Sequence, residues 1–122
     1  MFELSVRKEF SAAHHLREYR GKCESLHGHN WRVEVFVAAA KLNKTGIVAD
    51  FREIKECLTG VLEELDHTYL NELPYFRKYN PTSENIAKYI FDKLKLQFSR
   101  LGIKLRKVTV WESDDAHASY TP

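Results

Sequence analysis

The sequence has few cysteines and no long apolar run, and each shortage excludes a class of protein. Only Cys23 and Cys57 occur among the 122 residues, so the chain is no disulfide scaffold, and free thiols predict a reducing, cytoplasmic setting. No apolar stretch approaches the roughly 20 residues that span a bilayer. The charged start, MFELSVRKEF, is unlike a signal peptide. We expect a cytoplasmic protein that does not bind a membrane.

The net charge is also small. It amounts to +2, and the basic residues are scattered rather than clustered, so nucleic acid is not an expected partner. A phosphorylated small molecule remains compatible with this charge. The sequence has no internal repeat and no low-complexity linker, and its length predicts a single domain over residues 1–122 with a core that needs no disulfide.

Alternation and helical spacing predict an α+β fold. FELSVRKEFSAA, WRVEVFVAA and IKLRKVTVWES are predicted strands, and HASYTP is a short fourth one that closes a hairpin across SDDA. Asp50 is predicted to cap one helix in a capping box with Glu53, and a second helix is predicted from near Ser83 to Gly102. Two such helices can cover one face of an antiparallel sheet. Phe36 and Ala38 then lie on the other face, which suggests oligomerisation.

Histidines in CESLHGHNW indicate a metal site. In an extended segment His27 and His29 point to the same side, and this His-x-His pattern can hold two corners of a zinc tetrahedron. His14 or His15, at the end of the first strand, could supply a third ligand. Three histidines and an open position are typical of a catalytic zinc site. The alternative is that these are loop histidines bonded to backbone or water.

Cys23 and Glu24 precede that pattern side by side. Cys23 could be a fourth zinc ligand, or a thiol that neighbouring positive charge tunes for proton transfer. The alternative is a small buried apolar residue. Glu24 is a second candidate acid or base, and its alternative is a solvated surface carboxylate.

Asp66 and His67 lie where the first helix is predicted to end. A carboxylate beside a histidine can set its tautomer and raise its basicity. Adjacent helical residues do not face each other, so the pair can act together only if the helix stops there. The alternative is a histidine that interacts with the helix dipole.

Two further segments carry candidate binding residues. Glu112, at the end of KVTVWE, could grip two adjacent N–H donors of a purine-like or pterin ring with two parallel hydrogen bonds. The alternative is an ordinary exposed strand end. In NPTSEN, Thr82 or Ser83 is the expected N-cap of the second helix.

Together these segments resemble a known family. FSAAHHL, CESLHGHNW, LDHTYLN, NPTSEN and VWES occur in the order and at the intervals of the 6-pyruvoyl-tetrahydropterin synthase family, which includes bacterial 6-carboxy-tetrahydropterin synthase. The resemblance covers nearly the whole chain. It implies the tunnelling fold, whose unit is a four-stranded antiparallel sheet with two helices on one face. It also implies a homohexamer made of two trimers, with active sites between subunits.

The resemblance assigns roles to the candidate residues. It implies one Zn²⁺ per subunit on His14, His27 and His29, with His14 rather than His15 as the third ligand. It implies that Cys23 transfers protons and that Asp66 and His67 form a second acid/base relay. Glu112 matches the carboxylate that anchors the pterin ring. Thr82, Ser83 and Glu84 match a segment near the pterin pocket.

The family contains several reactions. Cys-x-x-x-His-Gly-His resembles the 6-carboxy enzymes of the queuosine pathway, which convert 7,8-dihydroneopterin triphosphate to 6-carboxy-5,6,7,8-tetrahydropterin, acetaldehyde and triphosphate. Glu-x-x-His-Gly-His resembles a group that releases 6-hydroxymethyl-7,8-dihydropterin for folate synthesis. Cys23 and Glu24 satisfy both patterns, so both activities stay open. The pyruvoyl enzymes have a longer gap before His-Gly-His, which disfavours that reaction here.

Overall fold

The computed structural model describes residues 1–21 and 24–122. Lys22 and Cys23 lie outside the described residues, so the predictions for Cys23 stay predictions. In chain order the elements are β1 (Phe2–His14), β2 (His27–Ala39), α1 (Phe51–Glu63), β3 (Thr68–Tyr69), α2 (Pro74–Lys78), α3 (Ser83–Arg100), β4 (Lys104–Trp111) and β5 (His117–Tyr120). A 3-10 turn, Leu70–Glu72, links β3 to α2. None of the described helices is both long and apolar enough to cross a membrane.

The sheet is built on the antiparallel pair of β1 and β2. Their register runs from Phe2 opposite Ala39 to His14 opposite His27. Because side chains alternate along a strand, Trp31 and the valines at 33, 35 and 37 all face the helices and are fully buried. The strand order is β3-β1-β2-β4-β5.

Capping residues place both long helices. The Asp50 side chain accepts a hydrogen bond from the Arg52 amide at the start of α1, as the predicted cap requires. Thr82 caps α3 by accepting from the Asn85 amide at 3.1 Å. Gly102, with φ +71°, ends α3 as predicted, because a left-handed residue after a helix favours glycine. Both helices pack on one sheet face through apolar residues that include Ile54, Leu58, Ile86, Ile90 and Leu94.

The α+β tunnelling-type architecture is confirmed, but the element count differs. The structure has a fifth strand, β3, which pairs in parallel with β1 through Ala12–Thr68 and Ala13–Tyr69, and a third short helix, α2. A two-residue strand is too short to give an alternating pattern. Only the neighbouring edge of β1 defines it.

The second sheet face is more polar than predicted. Glu34 is 8% exposed and pairs with Arg7, 3.3 Å away. Arg32 lies 3.1 Å from Asp114. Phe36 does lie on this face, but the Lys107 ammonium sits over its ring, 4.3 Å from the centroid. Apolar surface on this face is therefore a weak argument for oligomerisation.

Candidate metal centre

Three histidines meet where the β1–β2 ladder ends. His14 and His27 lie opposite each other, and His29 lies opposite Ala12, so all three side chains share one sheet face. The Nε2 atoms of His14 and His27 are 3.1 Å apart. Nitrogens about 2.0–2.1 Å from a tetrahedral zinc ion lie about 3.3 Å apart. The spacing therefore suits two corners of such a site.

Backbone carbonyls fix the orientation of two of the rings. His14 Nδ1 lies 2.8 Å from the Pro81 carbonyl oxygen, and His27 Nδ1 lies 2.8 Å from that of Ser25. A carbonyl can only accept, so each Nδ1 carries the proton and each Nε2 keeps a free lone pair. Metal-binding histidines commonly have such outer partners.

Trp31 forms the floor of the cluster. Its indole is fully buried and lies edge-on to His14 and His29, with ring centroids 4.9 and 5.0 Å away. Its Nε1–H donates to the Ala12 carbonyl at 3.2 Å. The packing leaves the two imidazoles little freedom to turn away.

Glu112 joins the cluster from the end of β4. Ligand atoms of His14, His27, His29 and Glu112 all lie within 4.8 Å of one another. A Glu112 carboxylate oxygen is 3.0 Å from His29 Nε2, but the contact is not a hydrogen bond. Among the described residues, this buried nitrogen has no hydrogen-bond partner.

The donor set therefore fits a divalent metal such as Zn²⁺. A buried polar atom without a partner is unfavourable, and a metal would satisfy His29 Nε2. Burial lowers the pKa of His14 and of His29 below the usual histidine value, and the neighbouring imidazoles act in the same direction. Neutral imidazoles are the form that binds metal.

Asp66 and His67 form a pair at the edge of β1. The helix α1 ends at Glu63, and His67 takes a left-handed conformation with φ 57°. This turn brings His67 Nδ1 to 3.0 Å from Asp66 Oδ2, which the sequence spacing alone left undecided. The Ser11 amide donates to Asp66 Oδ1 at 2.8 Å. That bond, and the nearby His67, lower the pKa of the Asp66 carboxyl.

One member of the pair and one member of the cluster line the same open groove. His29 and His67 line it together with residues 11–13, 28, 30 and 68. The His67 side chain is 82% exposed. Its second ring nitrogen is therefore accessible to a substrate or to a neighbouring subunit.

Glu24 does not lie free on the surface. Its amide donates to the Leu16 carbonyl at 2.9 Å, and its carboxylate accepts from the Leu16 amide at 3.2 Å. The same carboxylate oxygen is 3.7 Å from His27 Nδ1. Glu24 thus closes the loop beside the histidine cluster.

In the NPTSEN segment, the residues before Glu84 make the contacts near the histidine cluster. Thr82 is the α3 cap, and the Ser83 hydroxyl lies 3.4 Å from Glu112 Oε2. Glu84 is exposed in the first turn. Sequence reasoning missed the Pro81 carbonyl that orients His14. No side-chain pattern encodes that contact, because any residue has a carbonyl.

The chain was compared with known proteins. The sequence model of one protein family, 6-pyruvoyl tetrahydropterin synthase, matches residues 3–122. The chain belongs to the 6-pyruvoyl tetrahydropterin synthase family. A relative from Archaeoglobus fulgidus, named putative 6-carboxy-5,6,7,8-tetrahydropterin synthase, is 37% identical over 94% of this chain and 91% of its own length. Another, from Pyrococcus furiosus and named dihydroneopterin monophosphate aldolase, is 36% identical over 89% and 88%.

A solved structure shows the same fold. The 6-pyruvoyl tetrahydropterin synthase of Caenorhabditis elegans superimposes with a TM-score of 0.86, covers 99% of this chain and 95% of its own, and is 29% identical. The family and the fold inferred from the five motifs are therefore confirmed. The names of the family members differ in the reaction, so the reaction of this chain needs a separate argument.

Proposed function

We propose that this protein is a zinc-dependent lyase. It would convert 7,8-dihydroneopterin triphosphate to 6-carboxy-5,6,7,8-tetrahydropterin, with release of acetaldehyde and triphosphate, in the queuosine (7-deazapurine) pathway. The observation that carries the proposal is the convergence of His14, His27 and His29, with one buried ring nitrogen lacking a partner. The Archaeoglobus relative, with its carboxy-tetrahydropterin name, supports the choice of product.

Each residue has a role in this proposal. His14, His27 and His29 would hold one Zn²⁺ per subunit, which when bound polarises and acidifies the hydroxyls of the substrate side chain. Cys23 and His67 would move protons to and from the carbons of that side chain. Asp66 would keep His67 oriented and basic, through the 3.0 Å contact described above.

Pterin binding would involve the end of β4 and the start of α3. The Glu112 carboxylate would anchor the ring by accepting two parallel N–H bonds. It would then turn from His29, which it now contacts, toward the ring. Thr82, Ser83 and Glu84 would border the ring pocket, with Ser83 already within 3.4 Å of Glu112.

Product analysis tests the proposal directly. Zinc-loaded protein is incubated with 7,8-dihydroneopterin triphosphate, and the pterins and acetaldehyde are separated and quantified. We expect 6-carboxy-tetrahydropterin and acetaldehyde in equal amounts. Absence of turnover in intact, zinc-loaded protein would instead indicate a non-catalytic pterin-binding module.

A second function is favoured by Glu24. With Glu24 as the working base, the enzyme would cleave the side chain to 6-hydroxymethyl-7,8-dihydropterin, alone or besides the first product. The aldolase name of the Pyrococcus relative supports this alternative. It predicts that Glu24→Gln, which keeps a hydrogen-bond acceptor for the Leu16 amide but cannot act as a base, abolishes that product. A product mixture free of the hydroxymethyl compound would exclude this function under the assay conditions.

We further propose a cytoplasmic homohexamer, a dimer of trimers, with sites between subunits. Within the described chain, residues 2–11 of β1 have no strand partner on the side away from β2, and β5 is the other edge of the sheet. Open strand edges can pair with another copy. Native mass spectrometry measures the oligomeric state. A monomer that turns over substrate would contradict this proposal.

A further inference from the structure

Beyond the β1–β2 ladder the chain is still paired, but by side chains. Residues 15–17 follow the last ladder pair, His14–His27. The Asn71 carboxamide accepts from the His15 amide and donates to the His15 carbonyl, both at 2.9 Å. The Asn80 carboxamide likewise accepts from the Arg17 amide at 2.9 Å and donates to the Arg17 carbonyl at 3.1 Å. These four bonds pair the backbone of His15 and of Arg17 with side chains.

The pattern is that of a strand whose neighbour is made of side chains. A carboxamide presents one donor and one acceptor, like a peptide group. His15 and Arg17 face the two asparagines, whereas Leu16, between them, pairs on the opposite side with Glu24. This alternation is the one expected for the central strand of a sheet. Asn71 and Asn80 thus continue the edge that β3 begins.

The turn that begins at Asn80 also contains the carbonyl that orients His14. Its own carbonyl accepts from the Thr82 amide and from Asn85 Nδ2, at 2.8 and 2.9 Å. The next residue, Pro81, supplies the carbonyl that holds His14 Nδ1. One rigid turn therefore positions both the His14 ring and the backbone at Arg17.

The chain just after this segment is conformationally strained. Glu18 and Arg20 have φ values of 58° and 53°, in a region that side chains other than glycine rarely adopt. Such conformations persist only where their surroundings impose them. Pairing of Arg17 by Asn80 and of Leu16 by Glu24 fixes the start of the loop that leads to Cys23.

We propose that Asn71 and Asn80 are positioning residues for the active site. By continuing the β1 edge they hold His14 against its partners and fix the backbone of residues 15–17. This inference rests on the proposed function for its catalytic meaning, but the pairing itself can be measured without metal or substrate.

The first test is hydrogen exchange of the metal-free protein. Removal of one hydrogen bond from an amide weakens its protection by roughly 1 kcal/mol, which is about a factor of five in exchange rate. We expect about fivefold faster exchange of the His15 amide in Asn71→Ala and of the Arg17 amide in Asn80→Ala. Unchanged exchange at both amides would overturn the proposal. Should Asn71→Ala fail to fold, because Asn71 is buried, Asn80→Ala alone decides it.

A matched control is Asn43→Ala. The Asn43 side chain also accepts from two amides, those of Thr45 and Ile47. It lies beyond the end of β2 that pairs with Phe2, at the opposite end of the ladder from His14. The same changes in Asn43→Ala would mean that any lost turn produces them, and would refute a specific role.

Metal and thiol measurements separate positioning from simple stability. Loss of an outer partner of a metal ligand typically weakens metal binding 10–100-fold. Asn80→Ala keeps that partner, the Pro81 carbonyl, but loosens the turn that carries it, so we expect Zn²⁺ to bind severalfold, up to about tenfold, more weakly in chelator competition. Asn80→Asp keeps the acceptor oxygen, so its Zn²⁺ affinity should lie between those of the wild type and Asn80→Ala. The visible spectrum of the Co²⁺-substituted protein should also change in Asn80→Ala. Wild-type affinity and spectrum in Asn80→Ala would contradict the proposal.

Cys23 supplies the last readout. In a Cys57→Ser background it is the one remaining thiol of the sequence, so its alkylation rate can be measured alone. We expect a severalfold change in Asn80→Ala and none in Asn43→Ala; an unchanged rate in Asn80→Ala would refute an effect that extends from Arg17 to Cys23. If the wild-type protein proves inactive on the pterin while exchange and alkylation change as expected, the proposed function fails and the positioning inference stands.

Discussion

Replacement of His14 and of His15 gives a sharp test, because the two histidines are adjacent but placed differently. His14 is 2% exposed and lies in the cluster. The His15 ring instead contacts the Tyr69 hydroxyl at 2.5 Å. We expect His14→Ala to lose zinc binding and His15→Ala to keep it.

The size of the effect follows from linkage. Free Zn²⁺ at 100 times its dissociation constant stabilises the wild-type protein by about 2.7 kcal/mol. For a chain of this length, 1 kcal/mol shifts the melting temperature by about 3–5 °C, so zinc should raise it by roughly 8–13 °C. Loss of an outer partner alone costs up to 100-fold in affinity, so loss of a ligand costs at least that. At the same zinc concentration His14→Ala should then gain at most about 0.4 kcal/mol, or roughly 1–2 °C.

The assay compares zinc increments, not absolute melting temperatures. His14→Ala also leaves the Pro81 carbonyl without its donor, which costs about 1–3 kcal/mol in the metal-free protein. Thermal denaturation with zinc and with a chelator, for wild type and both variants, removes this contribution. A full zinc increment in His14→Ala, or its loss in His15→Ala only, would refute the assignment of His14.

Three more predictions test other parts of the site and fold. Cys23→Ala should abolish carboxy-tetrahydropterin formation, measured by chromatography, while bound zinc stays at the wild-type level; unchanged turnover would exclude Cys23 from proton transfer. The folded pKa of Asp66 lies below its unfolded value of about 3.9, so its contribution to stability is present above that pH and is lost as the pH falls through the folded pKa. The difference in urea midpoint between wild type and Asp66→Asn should therefore shrink below about pH 4, and a constant difference would contradict the shift. Gly21 has φ +79°, whereas Gly60 is exposed within α1. Among the described residues, neither glycine has an atom beyond its chain neighbours and its own helix backbone within 4 Å of an added Cβ. Gly21→Ala should thus destabilise the protein by about 1 kcal/mol and Gly60→Ala stabilise it by about 0.8 kcal/mol in chemical denaturation, and equal effects would argue against the backbone explanation.

Elements with their own periodicity could be predicted from the sequence. The valine alternation of β2 and the caps at Asp50 and Gly102 are local signals, and they place the elements correctly. The capping box was wrong in detail: Asp50 accepts from the Arg52 amide, and the described structure shows no hydrogen bond from the Asp50 amide to the Glu53 carboxylate. Strand β2 also begins four residues earlier than its alternation predicts, because His-Gly-His continues the ladder without an apolar signal.

Elements defined only by a partner could not be predicted. The strand β3 exists because β1 offers an open edge at Ala12 and Ala13. Asn71 and Asn80 read as ordinary loop residues, since nothing in their local sequence reveals the backbone that they bind. Helix α2 had one usable signal, Pro74 at its first position, which is favourable there.

The adjacency of Cys23 and Glu24 is where sequence and structure together bear on the mechanism. The sequence presents two reactive groups that fit two reactions. In the structure the Glu24 carboxylate already accepts from the Leu16 amide and lies beside His27 Nδ1. Both contacts involve Oε1, so Oε2 is the oxygen left to take up a proton. Glu24 can therefore hold the loop and still act as a base, and the products formed by Glu24→Gln and by Cys23→Ala separate the two reactions.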